Sequence, residues 1–476
     1  MMIMSERHRK SCRSFLRGIS ISWILLSLSG SIYAAEPITL IDLNSRSGAE
    51  FGDSVTAIPD VDGDGKWDVA VNSRNLAVLA DPPLSGNATI FNGVTGAKLG
   101  TLFPPFGADQ SRMHFAERIS GVSDVNGDGY GDVIIEDWDE DRTYIYDGRL
   151  QSVLQALPYP ASDVAGLPDM NGDGRGDVVA GARQTYVLSG ANGDPLHVLT
   201  SPDEQQDGYF GYRVAGVPDV NGDGKWDILV ASFETPDGQP LAAGRVYLFD
   251  GASTQVLQTF VSPNPQQWGF FGESIAGLPD LNGDGAGEVL IYERDSAGTS
   301  PDYAGRAHLF NGNTGQLIHT FVSPNECVMG GFGYSLAAIP DVNGDGRCEI
   351  LIGAPGESVR GVAGAGHAYL YDGATFRLMR ILVSPTPQEG GSFGGSVAGL
   401  PDVNGDGRGD AVIGACEEDG YVGATYLLGV GRAYIFHLEP GPPASVGGVW
   451  TLYDSPAASF GFPTSGRGMR LPARTK

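Results

Sequence analysis

One nine-residue pattern, present seven times, carries most of the metal-binding potential of this sequence. The copies are DVDGDGKWD from Asp60, DVNGDGYGD from Asp124, DMNGDGRGD from Asp169, DVNGDGKWD from Asp219, DLNGDGAGE from Asp280, DVNGDGRCE from Asp341 and DVNGDGRGD from Asp402. Positions 1, 3, 5 and 9 always bear a carboxylate or amide oxygen. In order these are Asp60, Asp62, Asp64 and Asp68, then Asp124, Asn126, Asp128 and Asp132, then Asp169, Asn171, Asp173 and Asp177. They continue with Asp219, Asn221, Asp223 and Asp227, then Asp280, Asn282, Asp284 and Glu288. Asp341, Asn343, Asp345 and Glu349, and Asp402, Asn404, Asp406 and Asp410, complete the set. Position 7 varies among Lys66, Tyr130, Arg175, Lys225, Ala286, Arg347 and Arg408, as expected of a residue offering only its main-chain carbonyl. Glycine at position 6 permits the bend that turns side chains 1, 3 and 5 onto one point.

Such a loop supplies hard oxygens at flexible geometry, with water to fill the shell, which is what Ca²⁺ requires. Mg²⁺ dehydrates too reluctantly, and transition metals prefer His or Cys, absent from the side-chain ligand positions. A plain Asp/Asn/Gly turn has no need of four acceptors at fixed places. Flanking strands argue against an EF-hand, and the wide spacing argues against back-to-back calcium nonapeptides. The expected load is up to seven Ca²⁺. The loops hold 22 acidic residues, and three carboxylates gathered at one point repel one another without a cation.

Around each loop the sequence alternates in the manner of strands. Before it stands a short apolar stretch such as RVAGVP or SIAGLP. After it come a β-rich segment such as ILV or VLI, an alternating run such as GRVYLFDG, a Gly/Asn turn and a run such as LIHTFVSP. Successive loops begin 64, 45, 50, 61, 61 and 61 residues apart. Four strands per period make one antiparallel sheet, and radial repetition of such sheets is a β-propeller. The expected fold is all-β, with seven four-stranded antiparallel blades and a calcium loop in each. Residues 36–440 should form the ring. Residues 37–52 and 449–462 both read as a candidate closing strand, with the N-terminal one favoured and 441–476 an extension.

Residues 1–35 read as a signal peptide, with Arg7, Arg9, Lys10, Arg13 and Arg17 ahead of an apolar run from Ile19 to Ile32 and Ala34-Ala35 behind it. Without that segment 25 basic and 56 acidic side chains remain, a formal net charge of −31. Such a surface repels nucleic acid and anionic lipid and favours divalent cations or basic partners. The expected product is monomeric, without a transmembrane segment once processed, and secreted, periplasmic or at the cell surface. Cys327 and Cys348 stand close enough in sequence to bridge, a question the sequence leaves open.

These features together resemble the FG-GAP repeat family, best known from the heads of integrin alpha subunits. Phe-Gly precedes a first strand at Phe51, Phe210, Phe271, Phe332 and Phe393, and Gly-Ala-Pro is intact at Gly353-Ala354-Pro355. Gly181-Ala182-Arg183 and Gly414-Ala415-Cys416 are near matches. The resemblance implies a seven-bladed propeller with calcium between the first and second strands of each blade. Integrin heads load only some blades, whereas all seven loops here have a full set of donors.

No H-E-x-x-H or phosphate-binding loop occurs, and His308 and His367 fall on third strands as structural residues. The Arg-Gly-Asp triplets at Arg175 and Arg408 end on position 9 of a loop, which turns their aspartates inward. Blades 2 and 3 are short, so the face opposite the loops should be notched above them. A ligand site rimmed by Asp137, Trp138, Asp139, Tyr209 and Trp268 is the expectation there, suited to a sugar ring or a basic side chain. The foremost function is an adhesion or ligand-binding module for proteins or glycans. A polysaccharide lyase or hydrolase, or a structural surface component, are the alternatives.

Overall fold

The computed structural model describes residues 36–42, 47–74, 86–105, 114–205, 208–294, 302–422 and 425–439. The signal-peptide reading of 1–35 and the extension 441–476 lie outside these residues. All the blades belong to the unit that begins at Pro37.

Seven four-stranded antiparallel sheets follow one another along the chain. Blade 4 shows the plan. Its strands are Arg213–Val217, Asp227–Ser232, Arg245–Phe249 and Val256–Val261, paired in that order. The second strand is buried at every residue, because its two faces pack against both neighbouring blades. First strands abut all the way round, and Phe393–Leu400 of blade 7 lies against Val55–Ile58 of blade 1. The ring is closed.

Crowding at the axis explains the glycine of the Ala-Gly or Ser-Gly before the loops of blades 2, 3, 4, 5 and 7. A Cβ on Gly166 would sit 2.2 Å from the carbonyl oxygen of Gly121, and one on Gly399 2.0 Å from that of Ala338. Only glycine lets adjacent first strands approach so closely. Farther out, each interface between sheets is an apolar cluster. Ile58, Ile90 and Leu102 of blade 1, for example, meet Phe115, Val133 and Tyr144 of blade 2. The phenylalanines of the Phe-Gly pairs are the wedges here, all buried. Blade 2 has Phe115-Ala116 instead, and Ala116 adopts φ 63°, the left-handed conformation that glycine takes elsewhere.

Closure comes from the N-terminus. Ile38–Leu40 is the outermost strand of blade 7, with Ile38 opposite Ile435, Thr39 opposite Tyr434 and Leu40 opposite Ala433. Blade 7 also carries an additional hairpin, Gly420–Val422 with Thr425–Leu427. Cys327, Cys348 and Cys416 are free thiols.

Candidate functional site

Every nine-residue loop joins the first strand of a blade to its second, and all seven share one hydrogen-bonded scaffold. The position 1 carboxylate accepts from the backbone N–H of the glycines at positions 4 and 6. In blade 4, Asp219 accepts from Gly222 at 2.6 Å and from Gly224 at 2.7 Å. Position 3 then accepts from the N–H of position 5, and position 5 from that of position 7, as Asn221 and Asp223 do at 3.0 and 2.8 Å. Both glycines have φ between 81° and 89° in all seven copies. The sequence reading credited only position 6, but position 4 is equally constrained.

Position 9 is different. Its carboxylate opens the second strand and is fully buried in blades 1, 3, 4, 5, 6 and 7, and nearly so in blade 2. One oxygen accepts from the N–H of position 2, as in Val61 to Asp68 at 2.8 Å. Where position 9 is aspartate, the other oxygen accepts from a backbone N–H at the end of the third strand, as in Gly93 to Asp68 at 3.1 Å. Burial pushes these acids upward: Asp68, Asp132 and Glu288 to about 7, Asp227 to about 6 and Glu349 to about 8.

Three loops gather acidic oxygens within 4.8 Å of one another: Asp60, Asp62 and Asp68; Asp280, Asp284 and Glu288; and Asp341, Asp345 and Glu349. These clusters could hold a metal ion. The longer arms of Glu288 and Glu349 let them reach toward the loop, and blade 1 has an additional acid, Asp62, where the others carry asparagine. In blades 2, 3, 4 and 7 the shorter Asp132, Asp177, Asp227 and Asp410 are each tethered by two backbone N–H groups. Buried Glu349 Oε1 has no hydrogen-bond partner at all among the described residues. An orphaned buried carboxylate oxygen in a residue clustered with two further acids fits a cation better than an apolar neighbour.

The turn after the third strand also addresses the loop, which the sequence reading took for a plain turn. Asn92 donates to Asp62 and Asp64, both at 2.8 Å, and Asn126 and Asn343 donate to Asp147 and Asp372. A recurring Asn-Gly or Asp-Gly after GRVYLF-like runs was the available signal. A second missed feature lies on the opposite face. Ser-Pro recurs at Ser201, Ser262, Ser323 and Ser384, 61 residues apart. The first three hydroxyls donate to buried Glu234, Glu293 and Glu357 of the following blade. Tyr247, His308, Tyr369 and Tyr434 on third strands also bond to these acids or to Glu418. His308 is therefore part of a blade-to-blade latch, and His367 pairs with Glu357 at 3.1 Å.

The expected ligand residues are not one constellation. Asp137 ends a second strand and is fully buried, so it does not rim a notch. Asp139 binds the backbone N–H and Nδ1 of His114, at 2.9 and 2.8 Å. Trp138, Tyr209 and Trp268 are exposed. Trp268 joins an aromatic row with Phe270, Phe233 and Tyr212, at successive centroid distances of 5.9, 4.8 and 4.3 Å. Trp138 and Tyr209 are not in that row. Asp177 and Asp410 of the Arg-Gly-Asp triplets are buried.

The FG-GAP repeat model matches residues 332–371, which span blade 6 from Phe332-Gly333 to the end of its third strand. Mouse integrin alpha-IIb is 35% identical over 230 residues, covering 44% of this chain and 20% of that protein. Integrin alpha-PS3 of Drosophila melanogaster is 30% identical over 245 residues, covering 48% and 20%. Rat integrin alpha-7 is 32% identical over 168 residues, covering 34% and 12%. The chain thus spans a fifth or less of the length of these relatives. It is a seven-bladed propeller built on the FG-GAP repeat, and over part of its length a distant homologue of integrin alpha subunits.

Proposed function

We propose that this chain is an exported ligand-binding module whose ring is held in its working shape by Ca²⁺ at the seven loops. The observation that carries the metal reading is the buried, unpartnered Glu349 Oε1 beside Asp341 and Asp345. A carboxylate in that setting requires either a proton or a cation, and oxygen donors alone select calcium. The other loops share the scaffold, so their occupancy follows from the same chemistry. The metal face locks the strands; the opposite face is left for ligand. There, connections between second and third strands and between blades present the row ending in Trp268, with the carbonyl of exposed Leu241 accepting its backbone N–H at 3.0 Å.

An exposed indole continuous with half-buried rings and buried Phe233 is an anchor suited to a sugar ring or an apolar or basic side chain. The similarity to integrin alpha subunits favours a protein or glycan ligand over a nucleic acid, as does the acidic net charge of −27. No helix among the described residues is long and apolar enough to cross a membrane. The test has two parts. Elemental analysis of protein dialysed against calcium should find bound metal, and a glycan and protein array should return a ligand whose affinity falls about tenfold or more in Trp268→Ala. A metal-free protein, or binding untouched by that change, refutes the respective half.

A further inference from the structure

The side chain at position 7 of a loop does not serve its own loop. Lys66 of blade 1 places Nζ 2.7 Å from the carbonyl oxygen of Asp402 and 3.9 Å from its carboxylate, in the loop of blade 7. Lys225 of blade 4 donates to the carbonyl of Met170, in the loop of blade 3, at 2.6 Å. Arg175 of blade 3 lies 4.0 Å from the carboxylate of Asp124 in blade 2, its guanidinium over Gly127, where an added Cβ would meet Nη2 at 2.3 Å. Arg347 of blade 6 reaches over Gly283 of blade 5, 3.7 Å from the place of a Cβ there. The reach is always backward, onto the preceding blade.

At two joints position 7 itself is uncharged, and at the first of them Arg149 stacks on the Tyr130 ring at 4.1 Å. Tyr130 of blade 2 lies on Gly63 of blade 1, with ring and hydroxyl 3.4 Å from the Cβ position. Ala286 of blade 5 is too short to cover the loop of blade 4. We infer that position 7 is a calcium-affinity control acting between blades: a Lys or Arg there weakens metal binding in the preceding loop, and a neutral residue leaves it strong. This rests on the calcium reading above. The covering cation also bridges the two blades, so the residue that ties one joint sets the affinity of the loop beside it. The loops so covered should therefore bind more weakly than loops 1 and 4. In each of these pairs, the variable position that looks uninformative within one loop sets the behaviour of its neighbour.

The magnitude follows from geometry. With the cation about 4 Å from a carboxylate that itself holds the metal at roughly 2.4 Å, the two positive centres stand about 6 Å apart. In a water-like dielectric, one charge at that distance from a divalent ion shifts binding about tenfold, less at high salt.

The sequence provides its own reporters, because only loops 1 and 4 carry tryptophan at position 8, Trp67 and Trp226. Tb³⁺ substitutes for Ca²⁺ and is sensitised by a nearby excited aromatic ring; excitation at the red edge of the indole band, where the phenol of Tyr130 does not absorb, confines the signal to tryptophan. In full-length protein bearing Trp226→Phe, sensitised Tb³⁺ emission reports on loop 1. Tyr130→Arg should then weaken both Tb³⁺ binding and its displacement by Ca²⁺ about tenfold, whereas Tyr130→Gln should not. Arginine at this position is already accommodated in blades 3, 6 and 7. In a Trp67→Phe background, Ala286→Arg should do the same at loop 4. Emission present but equal for Arg and Gln overturns the inference and leaves the metal sites standing. Absence of emission in the parent proteins overturns both.

Discussion

Replacing Glu349 with Gln separates the metal reading from a purely structural one, because the sign of its effect should reverse with conditions. Burial pushes the Glu349 carboxyl from an ordinary 4.5 to about 8. A carboxyl raised on folding favours the protonated native state. Its penalty is absent below the unfolded pKa near 4.5 and grows as pH rises toward 8. At 1.36 kcal/mol per unit, the apo ring at pH 8 bears a penalty of about 3–5 kcal/mol at this one site. Asp68, Asp132 and Glu288, pushed to about 7, add to the same trend. A bound cation inverts it by favouring the charged form.

The amide introduced by Glu349→Gln resembles the protonated carboxyl in shape and charge. In chelator at pH 8, the variant should therefore be more stable than the parent by up to about 3–5 kcal/mol. In chelator at pH 5, where the parent is already protonated, the two should be nearly equal. In saturating Ca²⁺ at pH 8 the variant should be less stable, because a ligand is gone. Urea unfolding followed by tryptophan fluorescence under these three conditions gives the comparison. A uniform loss of stability in all three would show that Glu349 is a packing residue and that no cation answers its charge.

Other changes test the frame around the loops. Ala116→Gly should stabilise the protein by about 0.5–1 kcal/mol, since glycine relieves a φ of 63° at the one Phe-Gly site that lacks it; urea midpoints read this. Leu40→Ala should cost about 2–5 kcal/mol, because the closing strand is three residues long and Leu40 is its buried anchor. Denaturant unfolding checks it, and a loss below about 1 kcal/mol would mean that the strand does not hold the ring shut. Ser323→Ala should cost about 1–3 kcal/mol by removing a donor from buried Glu357, measured the same way.

The blades were legible because two periods are superimposed in this sequence: alternation within strands and a longer repeat that returns the same loop. The Asp/Asn/Gly pattern likewise announced its donors, since each position has one chemical role. Three things were hidden, for physical reasons. Ala116 occupies a glycine conformation that residue type alone would not reveal. The Ser-Pro to Glu latch joins residues 31 to 34 apart across a blade boundary, as in Ser262 and Glu293 or Ser323 and Glu357, where no local period points. Asp137 looked like an exposed acid beside Trp138, yet strand pairing turns it fully inward. Side-chain direction at a strand end depends on register, which one unseen bulge reverses, and Phe115 to Ile119 contains one.

Blades 4 to 7 thus have a lock at either end. On one face the loop oxygens converge, in three blades into acidic clusters that could hold a cation. On the other, in blades 4 to 7, a buried carboxylate is answered by a serine from the preceding blade, a tyrosine or histidine and, in blades 4, 6 and 7, an adjacent Arg or His. The first lock depends on solvent composition and the second does not. Removal of metal should accordingly loosen the loop face while the latched face keeps its shape, and blades 1 to 3, which lack the Ser-Pro latch among the described residues, should open first. Hydrogen exchange in chelator would show this as early loss of protection in Val69–Val71, Val133–Ile135 and Val178–Ala180, ahead of Ile350–Ile352 in blade 6. Uniform loss across all seven second strands would mean that the ring unfolds as one unit, with calcium its only lock.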